Sequence, residues 1–326
     1  MAQQGKVVAI TGASGYIGTK LLERLEREPG LRKVVAFDVN PLRLPVHNVA
    51  FYRKNVSEPI DDELNDQDAT TLVHLAFNPD RSASRQEMDA VHEENLETLR
   101  AVMASCASTR VNHLIYLSSH TVYGAHSDNP VPISEDASMR PSGNDYSAFD
   151  KQHYEILLQE FAQAQNDIKV TILRSCTVLG NGTDNSAIDM YFGPWIFGLS
   201  AYNPPLQFVY DTDLARVISI FIQREIPGIF NVAGDGIVHY REMAQIIKSK
   251  MISLPPFLAY PLIRLCWGLR LQREATTSNL DQLRWPILMS TGKLHQATGY
   301  RFYHTALDSL NAFANSTYLY KDPAPF

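Results

Sequence analysis

Three glycines spaced three residues apart could hold a phosphate-bearing ligand against the backbone. Gly12, Gly15 and Gly18 follow an apolar run, Lys6–Ile10, whose composition predicts a β-strand. In a turn from strand to helix, the first glycine permits the tight bend, the second lets the backbone approach a pyrophosphate, and the third lets helix and strand lie close together. The N-terminus of the following helix adds N–H donors and a positive dipole. The spacing therefore predicts a dinucleotide-binding turn.

A carboxylate follows the next predicted strand. Asp38 stands at the end of the run Val34–Phe37, 20 residues beyond Gly18. A carboxylate there can accept hydrogen bonds from both ribose hydroxyls of NAD, but it repels the 2′-phosphate of NADP unless a cation offsets it. Arg43 is the only near candidate for such a cation. We therefore predict NAD over NADP; the alternative is that Asp38 only caps a turn before Asn40.

Short apolar runs that alternate with longer amphipathic ones must position these groups. Runs of about five apolar residues without polar alternation suit a parallel sheet covered on both faces, and β-α-β alternation requires right-handed crossovers. The predicted strands are Lys6–Ile10, Val34–Phe37, Thr71–Leu75, His113–Leu117, Lys169–Leu173 and Ile229–Val232, and the predicted helices are Tyr16–Arg27, Gln86–Ala107, Tyr146–Ala164 and Asp211–Gln223. The pattern predicts a doubly wound parallel α/β sheet, the Rossmann fold.

Composition narrows the class of protein. The chain has 326 residues, of which 45% are hydrophobic and 20% charged, and a formal net charge of -6. This charge, without blocks of Lys or Arg, argues against nucleic acid and anionic membranes as partners. Cys106, Cys176 and Cys266 are far apart and form no CxxC, so we expect neither a disulfide framework nor a zinc site. We expect no other metal site either, because the histidines show no ligand-like spacing beside carboxylates; they are His74, His92, His113 and His153. A reducing, cytoplasmic location fits best.

One long apolar stretch needs an interpretation. Met251–Leu265 is interrupted by three prolines and Arg264, and it falls short of the roughly 20 residues that a membrane span needs. We interpret it as a buried helix rather than as a segment that lies on a membrane surface. The apolar run before Gly12 is too short for a signal peptide.

Further motifs follow the glycine turn along most of the chain. They are Asn55-Val56, His74–Phe77 after the next strand, Asn95 in the following helix, Leu117–Gly124, Gln207–Leu214 and Gly228–Gly234. With Thr11–Gly18 and Asp38, they resemble the short-chain dehydrogenase/reductase superfamily in its extended or atypical branch, and are similar to NAD-dependent epimerase/dehydratase proteins. Asn55 stands where that family usually has an aspartate that contacts adenine.

The resemblance implies NAD as the cofactor and a defined set of residues around it. The implied cofactor contacts are Gly12, Ser14, Gly15, Tyr16, Ile17, Gly18, Asp38, Asn55, Val56, Leu75, Ala76, Phe77 and Lys151. It also implies a serine that hydrogen-bonds the reacting oxygen, here Ser119, and a Tyr-x-x-x-Lys pair. In that pair, the ammonium lowers the pKa of the tyrosine and holds the nicotinamide ribose.

The tyrosine and lysine are displaced by one residue from that pattern. Lys151 follows Tyr146 at i+5, which separates the two side chains by about 140° on a regular helix, whereas i+4 separates them by about 40°. Tyr146 could lie in a non-helical first turn or on a π-bulge and still reach the site. Alternatively, Ser147 takes the tyrosine position and the usual proton transfer is lost, or Tyr146 only packs in the core.

The remaining segments predict a smaller, discontinuous C-terminal substrate lobe. We assign residues 1–178 and 206–234 to the NAD-binding Rossmann domain, and residues 179–205 and 235–326 to the lobe. Thr177 and Leu206 replace an asparagine and a pyrophosphate-binding arginine of nucleotide-sugar enzymes, which disfavours such substrates. Aromatic residues suit an apolar or ring-bearing ligand, or simply close a core; they are Tyr191, Phe192, Trp195, Phe197 and Tyr202. The resemblance also implies a homodimer through Gln86–Ala107.

The sequence leaves two functions open. The first is an NAD-dependent oxidoreductase or epimerase/dehydratase-like enzyme that acts on a hydroxyl or keto group of a small molecule by hydride transfer. Ser119 would orient the oxygen, Tyr146 would move the proton, and Lys151 would bind the ribose and tune Tyr146. His120, Tyr123 and His126 are further candidates for the acid or base, although strand-end or core roles suit them better. The alternative is a catalytically lapsed dinucleotide-binding sensor or regulatory protein.

Overall fold

A computed structural model of the chain describes residues 5–78, 85–142, 145–181, 183, 195–268 and 277–319. Its main sheet contains seven parallel strands. From one edge to the other they are β3 (Val49–Arg53), β2 (Leu31–Asp38), β1 (Lys6–Thr11), β4 (Thr71–His74), β5 (His113–Ser119), β6 (Lys169–Ser175) and β11 (Gly228–Val232). The predicted doubly wound parallel sheet is confirmed.

Helices cover both faces of this sheet. They are α1 (Tyr16–Leu25), α2 (Asp61–Asp66), α3 (Arg85–Ala107), α4 (Tyr146–Ala164) and α5 (Asp211–Arg224). On one face, Leu21 of α1 and Phe221 of α5 share a buried core with Ile10 of β1. On the other, Leu99 of α3 and Leu158 of α4 are buried in a second core. Because both faces are covered, the central strands are apolar without alternation.

Sequence periodicity missed one strand of the sheet. β3 lies at the sheet edge, beside β2, and its residues are mostly half-buried rather than fully buried. An edge strand therefore lacks the continuous apolar run that identified the central strands. The predicted strand His113–Leu117 also extends to Ser119, which brings that serine to the carboxyl edge of the sheet.

The rest of the described chain forms smaller elements around a third core. The short strands are β7 (Thr177–Leu179) beside β10 (Phe208–Tyr210), β8 (Trp195–Leu199) beside β13 (Lys250–Leu254), and β9 (Pro205–Leu206) beside β12 (Val238–His239). The helices are α6 (Tyr240–Ile246), α7 (Pro256–Gly268), α8 (Thr277–Gln282), α9 (Gly292–Thr298) and α10 (Ala306–Leu319). The core includes Ile196, Phe208, Met243, Ala259 and Leu310.

The interpretation of Met251–Leu265 as one buried helix was wrong. The stretch divides at Pro255, where β13 ends and α7 begins, because proline cannot pair within a strand but is favoured at a helix start. Only one side of α7 contacts the third core, and several large apolar side chains on the helix are exposed. Among the described residues, no helix is both long and apolar enough to cross a membrane.

Candidate active site

A cavity of about 400 Å³ opens at the carboxyl edge of β1, β2 and β4. Such edges are where doubly wound sheets bind ligands. The predicted cofactor residues that line it are Gly12, Ser14, Gly15, Asp38, Asn55, Val56, Leu75, Ala76 and Phe77. Sequence reasoning did not assign Lys54, Asn78 or Thr98 to the site, because these side chains reach the cavity only through the tertiary arrangement of separate segments.

The glycine turn has the close contacts that its spacing predicted. Gly12 has a φ of +73°, and a Cβ there would lie 2.7 Å from the amide nitrogen of Ala76. A Cβ on Gly18 would lie 2.2 Å from the carbonyl oxygen of Gly12, so the start of α1 can approach the turn only without a side chain. With Gly15 on the cavity wall, the turn fits a dinucleotide whose phosphates face the helix N-terminus.

Asp38 both organises the turn and faces the cavity. Its Oδ2 accepts a hydrogen bond from the backbone N–H of Ser14 at 2.9 Å, and its Oδ1 accepts one from that of Asn40 at 2.9 Å. The capping role that we weighed as an alternative therefore exists. It does not exclude ribose binding, because a carboxylate offers about four acceptor positions. Arg43 lines the same cavity.

Three of the predicted cofactor residues lie in α1 rather than on the cavity wall. Tyr16, Ile17 and Gly18 are the first helical residues after the turn. The hydroxyl of Tyr16 donates to Asp211 Oδ2 at 2.6 Å, and burial is the main cause that raises the pKa of this tyrosine. Tyr16 thus connects the turn to the start of α5.

Lys151 contacts the backbone of β5 near the carboxyl end of the strand, whose last residue is Ser119. The Lys151 ammonium donates to the carbonyl oxygen of Leu117 at 3.3 Å, two residues before Ser119. It also lies 4.3 Å from the ring centroid of Phe77, which lines the cavity. Burial lowers the pKa of Lys151 to about 8. Ser119 Oγ accepts hydrogen bonds from the N–H and hydroxyl of Thr121.

Tyr146 is the first residue of α4, which is α-helical throughout its length. Asp145 caps this helix by accepting the N–H of Ala148 at 3.1 Å. The helix therefore contains no π-bulge, and a regular helix turns Tyr146 and Lys151 about 140° apart. Tyr146 is 38% exposed, so the core-packing alternative is wrong. Ser147 is the residue one helical turn before Lys151.

His120 lies beside Ser119 and borders a second, small cavity. Thr177, Leu206 and Gln207 also line this cavity. Thr177 and Leu206, the two residues that differ from those of nucleotide-sugar enzymes, therefore border the same cavity. The Nδ1 of His120 lies 3.2 Å from the carbonyl oxygen of Ser175, which can only accept. The same nitrogen lies 3.4 Å from Ser119 Oγ. Burial lowers the pKa of His120 to about 4, so the ring is neutral at neutral pH.

A buried polar network supports the strand that carries Ser119. Arg174 binds both carboxylate oxygens of Glu155, with the shortest distance 2.7 Å, and also donates to the hydroxyl of Tyr123. Ser118 donates to Glu155 at 2.5 Å, and Tyr123 donates to Asn231 at 2.7 Å. Tyr123 is thus a buried packing residue with its hydroxyl satisfied. Sequence reasoning missed this network, although buried-strand Arg174 was a visible signal.

Other sequence candidates have structural contacts. The His126 ring contacts the carbonyl oxygen of Arg140, and the buried ring of His74 contacts Thr11 at 2.7 Å. Trp195, Phe197 and Tyr202 belong to the described part of the lobe, while Tyr191 and Phe192 lie outside the described residues. In the described residues, no group of three or more His, Cys, Asp or Glu side chains could hold a metal ion.

Comparisons with known proteins agree with this geometry. A model of the NAD dependent epimerase/dehydratase family matches residues 8–233. An uncharacterised protein of Mycobacterium tuberculosis (strain ATCC 25618 / H37Rv) is 24% identical over 323 residues, which cover 95% of this chain and 84% of that protein.

Two solved structures illustrate the shared fold. The UDP-glucose 4-epimerase of Thermus thermophilus in complex with NAD is 20% identical, with a TM-score of 0.72, and the match covers 95% of this chain and 98% of that one. The NAD-dependent NDP-hexosamine 5,6-dehydratase TunA, involved in tunicamycin biosynthesis, is 19% identical, with a TM-score of 0.75, and the match covers 97% and 99%. At these identities the likeness shows the fold.

Proposed function

The chain belongs to the NAD dependent epimerase/dehydratase family, and from this premise we propose that it is an enzyme that acts on a hydroxyl or keto group of a small molecule by hydride transfer. NAD is its cofactor, and epimerase/dehydratase chemistry is its general kind of activity. The oxidoreductase, epimerase and dehydratase forms share this hydride step, and the proposal covers all three.

One observation carries the proposal. Phe77 lines the cavity that suits NAD, and the Lys151 ammonium lies over its ring. The same ammonium donates to the backbone oxygen of Leu117, two residues before Ser119. The cation proposed to hold the cofactor and the hydroxyl proposed to hold the substrate therefore both belong to the carboxyl-end region of β5.

Each residue has a defined task in this scheme. NAD, when bound, supplies a hydride acceptor at its nicotinamide ring. Ser119 holds the substrate oxygen, and Lys151 holds the nicotinamide ribose and stabilises negative charge near the site. We assign the proton transfer to Tyr146, whose side chain is partly exposed, or to His120, which borders the small cavity.

The substrate and assembly proposals rest on fewer observations. We propose a small, ring-bearing substrate that carries no diphosphate. Thr177 and Leu206, which replace an asparagine and a pyrophosphate-binding arginine of nucleotide-sugar enzymes, both border the small cavity beside His120. The proposals that the protein is cytoplasmic, forms a homodimer through α3 and has no nucleic-acid partner rest on the sequence and the resemblance. The two-domain division remains a proposal as well.

A substitution series tests the enzyme. Secondary alcohols, ketones and sugar derivatives are screened by NADH absorbance with the wild type and with Ser119→Ala, Tyr146→Phe and His120→Gln. We expect Ser119→Ala and one of the other two variants to lower turnover by about 10²- to 10⁴-fold, the usual contribution of a positioned acid or base. NADH affinity, measured by fluorescence, should change little in all variants.

Two outcomes would contradict the proposal. If the wild type binds NADH but turns over none of these compounds, the sensor alternative is favoured. If neither Tyr146→Phe nor His120→Gln lowers turnover of an identified substrate, both residues are removed from the proton-transfer step.

A further inference from the structure

Helix α7 presents a continuous apolar face to solvent. Phe257, Leu258, Pro261, Leu262 and Leu265 are exposed, and Phe257 reaches 73% exposure. Their spacing of i, i+1, i+4, i+5 and i+8 places them on one side of an α-helix. The opposite side faces the third core. We call the five exposed residues the α7 face.

Inward-facing residues of α7 are already satisfied. Ala259 is buried in the third core, with Tyr260 and Ile263 packed against it. The hydroxyl of Tyr260 donates to Asp281 of the adjacent helix α8 at 2.6 Å. These contacts anchor the helix to the lobe through its inward side. The α7 face takes no part in them.

The small sheet that leads into α7 is apolar on its exposed side as well. Trp195 and Phe197 of β8 and Ile252 of β13 are exposed. The register pairs Lys250 with Trp195 and Ile252 with Phe197, so these four side chains share one face of the two-stranded sheet. The Lys250 ammonium lies 5.1 Å from the Trp195 ring. β13 runs into α7 through Pro255 alone.

The charged residues from Lys248, just before β13, to the end of α7 are all basic. This stretch contains three Lys or Arg residues and no Asp or Glu, in a chain whose formal net charge is -6. An exposed apolar face beside lysines, without acidic residues in the same stretch, suits a surface that offers both hydrocarbon and negative charge. A second copy of the same face does not, because a twofold contact would bring two cationic segments together.

We propose that the α7 face, with the exposed side of β8 and β13, docks on the surface of an anionic lipid bilayer. The 13 residues of α7 extend about 20 Å, too short for a hydrocarbon core of about 30 Å, so the helix lies in the interface plane. Phe257, Leu262 and Leu265 enter the acyl boundary, and Lys250 remains among the headgroups. The net-charge argument against membranes fails here because it averages over the whole chain.

Vesicle sedimentation of the full-length protein tests this docking. Vesicles of equimolar phosphatidylglycerol and phosphatidylcholine should bind the protein, and vesicles of phosphatidylcholine alone should bind it at least about tenfold more weakly. Binding should weaken as salt rises. Phe257→Asp and Leu262→Asp should each reduce the partition coefficient at least about tenfold, because each replaces an apolar side chain that would insert into the bilayer with a negative charge that the anionic lipid repels.

Leu307→Asp is the matched control. Leu307 is 39% exposed on α10 of the same lobe, and Leu262 is 44% exposed, so the two changes are alike in size and exposure. The control should bind vesicles as the wild type does. NADH affinity and thermal unfolding should be unchanged in all three variants, which separates failure of docking from failure of folding or of the proposed enzyme.

Three outcomes would overturn the proposal. The first is no binding to either kind of vesicle. The second is binding that Phe257→Asp and Leu262→Asp leave unchanged. The third is a dimer, detected by analytical ultracentrifugation, that these two variants dissociate, because the α7 face would then be covered by a second copy.

Discussion

At the scale of single residues, Lys151 lies between the backbone of β5 and two aromatic rings. Its ammonium has one backbone hydrogen bond and lies beside the rings of Phe77 and Tyr116. Burial is the largest cause that lowers its pKa to about 8, while Glu155 and Asp150 partly offset it. A lysine that is charged but poorly hydrated binds an incoming ribose hydroxyl more readily than one that is fully solvated.

The lowered pKa of Lys151 predicts that the difference in stability between Lys151→Met and the wild type depends on pH. Below about pH 8 the lysine is protonated in both states, and the folded protein bears the full cost of the buried charge. As pH rises from about 8 toward the ordinary value of 10.5, the unfolded chain binds more protons than the folded one, so this cost is relieved. The stability gained by Lys151→Met should therefore be largest near pH 7 and shrink toward about pH 10, as measured by urea unfolding.

Lys293→Met provides the control for this series. Lys293 is exposed, and its ammonium also lies over an aromatic ring, that of Phe230. If the Lys151→Met difference stays constant across the same pH range, burial does not shift the pKa of Lys151 as described.

Asp38 gives a second prediction at this scale, on cofactor choice. The wild type should bind NADH more tightly than NADPH, and Asp38→Asn should reduce that preference at least about tenfold because the negative charge opposite the 2′-phosphate is removed. Asparagine keeps an oxygen that can accept from Ser14. Fluorescence titrations measure both affinities, with the exposed Asp62→Asn as control. Tighter NADPH binding by the wild type would contradict the assignment.

At the scale of elements, α4 connects the site to the sheet. Its first turn carries Tyr146, its next turn carries Lys151, and a turn further along Glu155 meets Arg174 of β6. Because Glu155 also accepts from Ser118 of β5, one carboxylate fixes the helix against two neighbouring strands. The position of Lys151 therefore depends on a buried ion pair that does not contact the cavity.

The Glu155–Arg174 pair predicts a strongly non-additive mutational cycle. Glu155→Leu leaves a buried, unpaired guanidinium and should cost about 3–5 kcal/mol in the free energy of unfolding. Adding Arg174→Met should recover part of that loss, because the double variant contains no buried charge at this place. Urea unfolding measures the cycle. The exposed pair of Arg140 and Asp128 is the control, and Arg140→Met should change stability far less. Additive effects at the buried pair would contradict the coupling.

At the scale of the whole molecule, Asp213 joins the C-terminal segments to the Rossmann sheet. This buried carboxylate of α5 accepts the hydroxyl of Tyr300 at 2.6 Å and the backbone N–H of His304 at 2.9 Å. The His304 ring also contacts it at 2.9 Å and stacks on Tyr210 with ring centroids 4.0 Å apart. One acidic side chain therefore sets where the segment before α10 meets α5.

Asp213→Asn should loosen this junction. The amide keeps one acceptor oxygen but adds a donor group opposite the N–H of His304, so we expect a loss of about 1–3 kcal/mol in stability. Limited proteolysis should cut the C-terminal region sooner than in the wild type. Asp235→Asn, at an exposed aspartate nearby in sequence, should leave both measurements unchanged. An unchanged proteolysis pattern in Asp213→Asn would show that the junction depends on other contacts.

The sequence by itself determined the features that depend on neighbouring residues. The parallel sheet could be inferred from β-α-β alternation, and the turn of Gly12, Gly15 and Gly18 from steric requirements that act over a few bonds. Asp38 was assigned to the cofactor site by the same local reasoning. The prediction of the sheet succeeded because an apolar run has the same physical meaning wherever the chain folds around it, and the NAD contacts of the glycines and Asp38 stay predictions.

Only the tertiary structure decided which faces are covered and which distant groups meet. Periodicity identified apolar residues in α7, but not that Phe257 and Leu262 remain in solvent while Ala259 is buried. Spacing gave the angle between Tyr146 and Lys151, but not the exposure of Tyr146. The contact of Glu155 with Arg174 and that of Asp213 with His304 join segments far apart in the chain. Burial, and with it the pKa of Lys151, is a property of that assembled environment.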